Sequence, residues 1–296
     1  MPSGTAFPRP GDGLELEFGA LPSPLAAYAR AVLAARKPVR APAPPAIRAT
    51  VRGVRIDPAH LARYRAACGL PPGELAPPAY PQALAFPLHL AVYTHPAFPL
   101  RLLGAVHLRN LFTQRRALAS GETVAVHVAL AGWRDAPRGI EHELATEVRD
   151  GAGALVWTGV STVLSPDRSA ARPPPRPPEP PRTFERSAPI AVPADAGRRY
   201  ARATGDYNPI HLGALGARPF GFRRPIAHGM WTLARALATL EPAAAALRVE
   251  VAFRKPLFLP ADVSLHWTPG AETAFELRSA AGDVAHLQGS LGAPAP

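Results

Sequence analysis

The sequence of 296 residues predicts an α+β fold built from two copies of one unit, a long helix packed against an antiparallel sheet. A proline-rich segment divides the chain into halves of similar length. Each half contains a helical stretch followed by a series of strands. Each series ends in a hairpin with a glycine-containing turn, so the halves share one plan.

The dividing segment, residues 165–182, reads SPDRSAARPPPRPPEPPR and contains eight prolines. Proline fixes φ and has no N–H to donate, so the segment favours an extended, semi-rigid linker. We therefore predict a first half over residues 1–164 and a second half over residues 183–296. A proline-rich recognition ligand is the alternative interpretation of the segment.

Apolar residues recur at helical spacing ahead of the strands in both halves. In the second half they predict a helix over residues 228–241 that is buried on most sides. The counterpart in the first half covers residues 82–95, where Pro87 argues against an unbroken helix. The alanine-rich residues 24–37 predict a helix packed on the domain, with an amphipathic targeting helix as the alternative.

The strand series have the same order in both halves: two strands separated by a break, then a hairpin. The separated strands fall within residues 103–130 and 248–269, and the hairpin turns lie at Asp150-Gly151 and Gly282-Asp283. Asp-Gly and Gly-Asp between alternating apolar runs are strong hairpin signals, because these residues tolerate positive φ.

The formal net charge is +11, and only Lys37 and Lys255 among the 33 basic residues are lysines. Enrichment in arginine, alanine and proline together is typical of G/C-rich coding. The arginines are scattered and lack an interleaved aromatic stripe, which argues against nucleic-acid binding. The charge alone therefore identifies no partner.

Cys68 is the single cysteine, which excludes an intrachain disulfide and a cysteine zinc cluster. No apolar run approaches the ~18 residues of a membrane span. The N-terminal region carries Asp12, Glu15 and Glu17 where a secretory signal would be basic. These features predict a cytoplasmic protein that does not enter membranes.

The most informative segment is Gly205-Asp206-Tyr207-Asn208-Pro209-Ile210-His211. Gly205 can end a helix, and Asn208-Pro209 is a turn signal. Asp206 and His211 are five residues apart with this turn between them, so both can reach one cleft. A carboxylate and an imidazole aimed at one water form a competent acid–base pair near neutral pH.

A second informative segment, Ala227-His228-Gly229-Met230, begins the helix of the second half. Free backbone N–H groups at a helix N-terminus favour an anion or a developing oxyanion. Gly229 has no side chain, so a carbonyl oxygen can approach its N–H closely. His228 is predicted to pack or cap the helix start, with contact to the cleft as the alternative.

Together these segments closely resemble the hydratase-2 motif of MaoC-like enoyl-CoA hydratases. The motif covers the second half, whereas the first half resembles, by layout alone, the degenerate N-terminal repeat of two-domain members. The resemblance implies a double hot-dog fold. It also implies a lyase that reversibly hydrates trans-2-enoyl thioesters to (R)-3-hydroxyacyl thioesters in fatty acid or related acyl metabolism.

In this resemblance Asp206 and His211 activate the water and move the proton, and the Gly229 N–H stabilises the thioester enolate. Asn208 positions the loop or the water. The family's chemistry implies no metal and no redox cofactor, because the thioester carbonyl itself makes the β-carbon electrophilic. One active site per chain is expected.

The substrate partner is expected to be an acyl thioester of coenzyme A or of an acyl-carrier protein. Arg254, Lys255 and Arg224 are candidates to bind the carrier phosphates, with solvated surface residues as the alternative. Met230 is expected in the core or the wall of the acyl tunnel. A double hot dog forms its own pseudo-dimer, so both a monomer and a homodimer are consistent with the sequence.

Two other functions share the fold. A hot-dog thioesterase would use a carboxylate on the central helix, and residues 230–240 contain no Asp or Glu. A non-catalytic acyl-binding subunit would bind thioesters without adding water.

Overall fold

The computed structural model describes residues 7, 13–34, 36–167, 169–170, 182–242 and 244–294. Its strands are β1 (Gly13–Phe18), β2 (Ala46–Arg55), β3 (Val106–Gln114), β4 (Thr123–Ala136), β5 (Gly139–Asp150), β6 (Leu155–Pro166), β7 (Arg186–Val192), β8 (Leu247–Phe253), β9 (Ala261–Thr268), β10 (Glu272–Ser279) and β11 (Ala285–Gly292). Its helices are α1 (Pro24–Leu33), α2 (Pro58–Ala67), α3 (Tyr80–Thr94), α4 (Ala196–Thr204), α5 (Ala214–Ala217) and α6 (Gly229–Leu240), with 3₁₀ turns at Pro209–His211 and Arg218–Phe220.

All these strands form one sheet in the order β1-β2-β4-β5-β6-β3-β8-β11-β10-β9-β7. Neighbouring strands are antiparallel except β1 and β2, which are parallel. From the centre outwards, β3-β6-β5-β4-β2 of the first half matches β8-β11-β10-β9-β7 of the second. The repeated plan is therefore visible in the sheet, and the predicted α+β class is confirmed.

The two halves meet where β3 pairs with β8. The register runs antiparallel from Arg109 opposite Ala252 to Gln114 opposite Leu247. This pairing makes one sheet of two, and α4 of the second half contacts α2 and α3 of the first.

The central helices are α3 and α6, as the apolar spacing predicts. The first packs against β2, β4 and β5, and the second against β11. The first helix passes through Pro87 without a break, with nearly all of its residues buried. Packing on all sides thus outweighs the one helical hydrogen bond that the proline removes.

The alanine-rich stretch forms α1, as predicted, and it packs beside α3. Ser23 caps its N-terminus by accepting a hydrogen bond from the Ala26 N–H, and Pro24 follows at a position that needs no donor. Both hairpins form at their predicted turns.

The predicted linker over residues 165–182 falls largely outside the described residues, so the domain boundaries stay a prediction. In the part of the chain that the structure describes, no helix has both the length and the apolar character needed to cross a membrane.

Candidate active site

A cavity of about 420 Å³ lies at the junction of the two halves. Asp206, Asn208, His211, His228 and Gly229 of the second half line one part of it. Side chains from α3, β3 and β6 of the first half line another part. The structure thus brings the motif residues into one cavity.

The motif loop follows directly from the end of α4. Gly205 takes the left-handed conformation, with φ of 79°, and terminates the helix. Asp206 Oδ1 then accepts a 3.2 Å hydrogen bond from the Asn208 N–H, which closes a tight turn. The following 3₁₀ turn ends at His211 and directs it back towards Asp206.

His211 is buried, and its protonation follows from its contacts. Its Nδ1 lies 2.8 Å from the carbonyl oxygen of Ile226, which can only accept, so the proton resides on Nδ1. Burial, with a smaller effect from His228, lowers the pKa of His211 to about 3. At neutral pH the imidazole is therefore neutral, and Nε2 carries a free lone pair.

His228 stacks on His211, with ring centroids 3.7 Å apart and planes at 26°. Its Nε2 lies 3.0 Å from the backbone oxygen of Asp206 and donates to it. His228 forms no side-chain capping bond to its own helix. His228 is thus a buried packing residue, as predicted, and it also lines the cavity, but its ring bonds to the Asp206 loop and does not cap the helix.

Asp206 is half-buried and held by donors from both halves. Tyr28 of α1 donates a 2.9 Å hydrogen bond to Oδ1. Burial alone would raise the pKa of Asp206, but His228, His211, Tyr28 and the Asn208 N–H outweigh burial and lower it. The carboxyl group is therefore an anion beside a neutral imidazole.

Gly229 begins α6, and the first N–H groups of a helix have no acceptor within it. A Cβ at this position would lie 2.9–3.0 Å from ring atoms of Phe253. Glycine thus lets the helix start lie against Phe253, and Gly229 lines the cavity. A helix-start N–H at a cavity is the kind of donor that can bind an oxyanion.

Asn208 also lines the cavity. Its side-chain amide contacts the backbone oxygen of Ala105 at 3.5 Å, and its buried Oδ1 has no partner among the described residues. The side chain bridges the loop to the first half, which suits the predicted positioning role.

Arg254, Lys255 and Met230 also line the cavity, as does Arg138 of the first half. Arg224 does not line it. Its guanidinium lies 5.5 Å from the ring centroid of Phe258.

Asp206, His211 and His228 offer donor atoms within 4.8 Å of one another. A metal ion binds near the plane of an imidazole ligand, but these two rings stack, and His211 Nδ1 and His228 Nε2 already bond to backbone oxygens. The donor set is therefore better suited to proton transfer than to chelation.

Sequence reasoning missed Tyr28, because no local pattern connects it with a loop 178 residues away. His107, which was not among the predicted site residues, also lines the cavity. Its position on a strand of the duplicated unit, next to the seam, was the available signal.

Comparison with known proteins identifies the family. A family model for the MaoC-like domain matches residues 175–282. The chain is 38% identical over 229 residues to 3-hydroxyacyl-thioester dehydratase X of Mycobacterium tuberculosis, covering 75% of this chain and 80% of that protein.

Solved structures show the same relationship. The crystal structure of HtdX of M. tuberculosis matches with a TM-score of 0.74 and 35% identity, covering 83% of this chain and 100% of that chain. Another M. tuberculosis protein, described as having a double hot-dog fold, matches with a TM-score of 0.55 and 16% identity over 82% of this chain and 94% of that chain, which concerns the fold alone. The predicted double hot-dog fold and the resemblance are confirmed, and the chain belongs to the MaoC-like dehydratase family.

Proposed function

We propose that this protein is a hydro-lyase that reversibly adds water to trans-2-enoyl thioesters and forms (R)-3-hydroxyacyl thioesters. The observation that carries the proposal is the pairing of a neutral His211, with its lone pair on Nε2, and an anionic Asp206 in one cavity. The related dehydratase of M. tuberculosis supports the same reaction class.

In the hydration direction, Asp206 and His211 hold a water molecule next to the β-carbon. The water oxygen bonds to that carbon while one water proton passes to the acid–base pair. The π electrons move towards the thioester carbonyl, and the α-carbon then takes up a proton from the pair. Dehydration follows the same steps in reverse.

The negative charge of the enolate develops on the thioester oxygen. We assign the Gly229 N–H at the start of α6 to stabilise it, since a fixed donor in an enclosed site is worth more than one in water. His228 holds the loop through its bond to the Asp206 carbonyl. Asn208 positions the same loop.

Arg254, Lys255 and Arg138 place positive charge at the cavity, which suits the phosphates of a coenzyme A or carrier-protein thioester. No further cofactor enters the proposed reaction. Because the chain forms its double unit internally, it can act as a monomer. Sedimentation would distinguish a monomer from a homodimer of twice the mass. A cytoplasmic location remains part of the proposal, supported by the buried free thiol of Cys68.

The test is the loss of enoyl absorbance when purified protein meets trans-2-enoyl-CoAs of increasing length. Asp206→Asn and His211→Ala should each lower kcat by about 10²-fold or more. Asp262→Asn and His266→Ala are matched controls, since neither residue lines the cavity. Equal rates in the wild type and both site variants would contradict the assignment. Release of free thiol would indicate a thioesterase, and binding without water addition would indicate a non-catalytic subunit.

A further inference from the structure

The first-half part of the cavity is not a plain hydrocarbon wall. Gln82 and His89 of α3 and Ser161 of β6 line it, and they are only 5%, 3% and 2% exposed. Buried polar groups of this kind need hydrogen-bond partners. Their hydrogen-bond partners therefore indicate which kind of ligand the cavity can bind.

Ser161 is the centre of the group. Its Oγ accepts hydrogen bonds from Gln82 Nε2 at 2.9 Å and from Asn110 Nδ2 at 3.0 Å. These two bonds occupy both lone pairs of the hydroxyl oxygen. The Ser161 O–H hydrogen is thus left to donate to another group.

Three buried acceptors of the first half have no donor, and two of them belong to Gln82 and His107, which line the cavity. Gln82 Oε1, Asn110 Oδ1 and His107 Nε2 are buried and have no hydrogen-bond partner among the residues that the structure describes. Burial lowers the pKa of His107 to about 4, and its ring bonds to the Arg109 backbone, so the neutral ring keeps its lone pair on Nε2.

The helix backbone adds one more acceptor. Pro87 has no N–H, so it cannot donate to the carbonyl of Ala83, which also lines the cavity. His89 is satisfied differently, since its Nε2 pairs with Thr146 Oγ1 at 2.9 Å. The unsatisfied groups are therefore mainly acceptors, together with one donor.

An alkyl chain placed against these groups would exclude water and leave them unpaired, which is unfavourable. A hydroxyl group can donate to one acceptor and accept from Ser161 at the same time. We propose that the physiological acyl chain carries a second hydroxyl group, separate from the one at C3. Gln82 and Ser161 bind it in the first half of the cavity. This inference rests on the proposed hydratase function and names its substrate class.

The test compares isosteric substrates: trans-2-enoyl-CoAs of six to twelve carbons that end in a hydroxyl or in a methyl group. We expect kcat/KM to be at least about tenfold higher for the hydroxyl member at one chain length, as expected for a site built to hydrogen-bond its ligand. Gln82→Leu and Ser161→Ala should bring this ratio close to one. Thr162→Ala is the matched control, because Thr162 is the next residue on β6, is also buried and bonds to Glu143 instead.

The wild-type comparison decides the inference without any variant. The hydroxyl proposal would be overturned if kcat/KM for the hydroxyl substrate were no higher than for the methyl substrate at every chain length. Hydration of trans-2-butenoyl-CoA in the same assay would leave the hydratase function intact. A ketone analogue preferred over the hydroxyl analogue would also overturn it. Failure to hydrate any enoyl-CoA, the butenoyl thioester included, would overturn both proposals.

Discussion

The Tyr28 hydroxyl donates a 2.9 Å hydrogen bond to Oδ1 of Asp206, although the two residues are 178 positions apart. The bond joins α1 of the first half to the motif loop of the second. Since Oδ1 also accepts from the Asn208 N–H, the orientation of the carboxylate is fixed and Oδ2 remains for the water. Tyr28 is thus a positioning residue for the proposed general base.

Replacing Tyr28 with phenylalanine should lower kcat about tenfold with little change in KM, since a hydrogen bond to a charged group contributes about 1.5–3 kcal/mol. Enoyl-CoA hydration kinetics measure both constants. Tyr207→Phe on the neighbouring loop position is the control. A rise in KM with unchanged kcat would contradict the positioning role.

The pH dependence of kcat/KM should lack an inflection near 6.5, where an ordinary histidine titrates. Burial lowers the pKa of His211 to about 3, so its neutral form persists well below neutral pH. A steady-state profile between pH 5 and 8 measures this. An acid limb centred near 6.5 would show that His211 titrates normally.

The acid limb should move to higher pH in Tyr28→Phe. The Tyr28 hydroxyl helps to lower the pKa of Asp206, so its removal raises that pKa. The anionic carboxylate is then lost at a higher pH as the solution is acidified. Identical acid limbs in the wild type and the variant would show that the hydrogen bond does not act on the titrating group.

Gly205→Ala should destabilise the protein more than Gly282→Ala. Both glycines have nearly the same φ, 79° and 80°, so the conformational cost of about 1–2 kcal/mol is shared. A Cβ at Gly205 would lie 2.5 Å from Cγ of Pro24, whereas a Cβ at Gly282 would meet no atom within 4 Å. Only the Gly205→Ala substitution should therefore displace α1, and Tyr28 with it.

Urea unfolding and kcat of the two glycine variants provide the comparison. We expect an additional loss of about 1 kcal/mol or more in the free energy of unfolding of Gly205→Ala, as for other overpacked contacts, together with reduced kcat. Equal effects on stability and activity would show that the contact between Pro24 and Gly205 is unimportant.

The protein should lose stability as the pH falls below 6.5. Burial lowers the pKa of His89, His142 and His211 to about 3 and that of His107 to about 4. The unfolded chain binds these protons near pH 6.5 and the native chain does not. Each histidine then reduces the free energy of unfolding by about 1.4 kcal/mol per pH unit.

Urea unfolding at pH 7, 6 and 5 measures this slope, and His142→Gln, outside the cavity, should reduce it by one proton. An unchanged slope in that variant would contradict the assignment of His142 as a buried neutral residue.

The sequence was sufficient for features with a local cause. Helical spacing predicted α3 and α6, and Asp-Gly and Gly-Asp predicted the hairpin turns. The short turn between Asp206 and His211 predicted that the two side chains lie close together, and in the structure both line one cavity. Each depends on residues within a few positions of one another, so the local sequence is enough to predict it.

Features set by tertiary packing were not predictable in this way. Tyr28 reaches Asp206 only because α1 packs beside α3. Arg224 is close to α6 in sequence, yet its guanidinium lies over Phe258 and the residue does not line the cavity. The parallel pairing of β1 with β2 likewise follows from the path of the chain around α1, which no local pattern encodes.

The pairing of β3 with β8 has a consequence for how such a protein can evolve. In a symmetric dimer of identical subunits, every substitution occurs in both copies. A position that contacts the acyl chain in one copy therefore cannot change without changing the same position in the copy that supplies the acid–base loop. A covalent pair is free of this constraint. One half can keep the water-activating residues while the other diverges into a wall that selects the acyl chain, a division of labour that a single repeated gene product cannot encode.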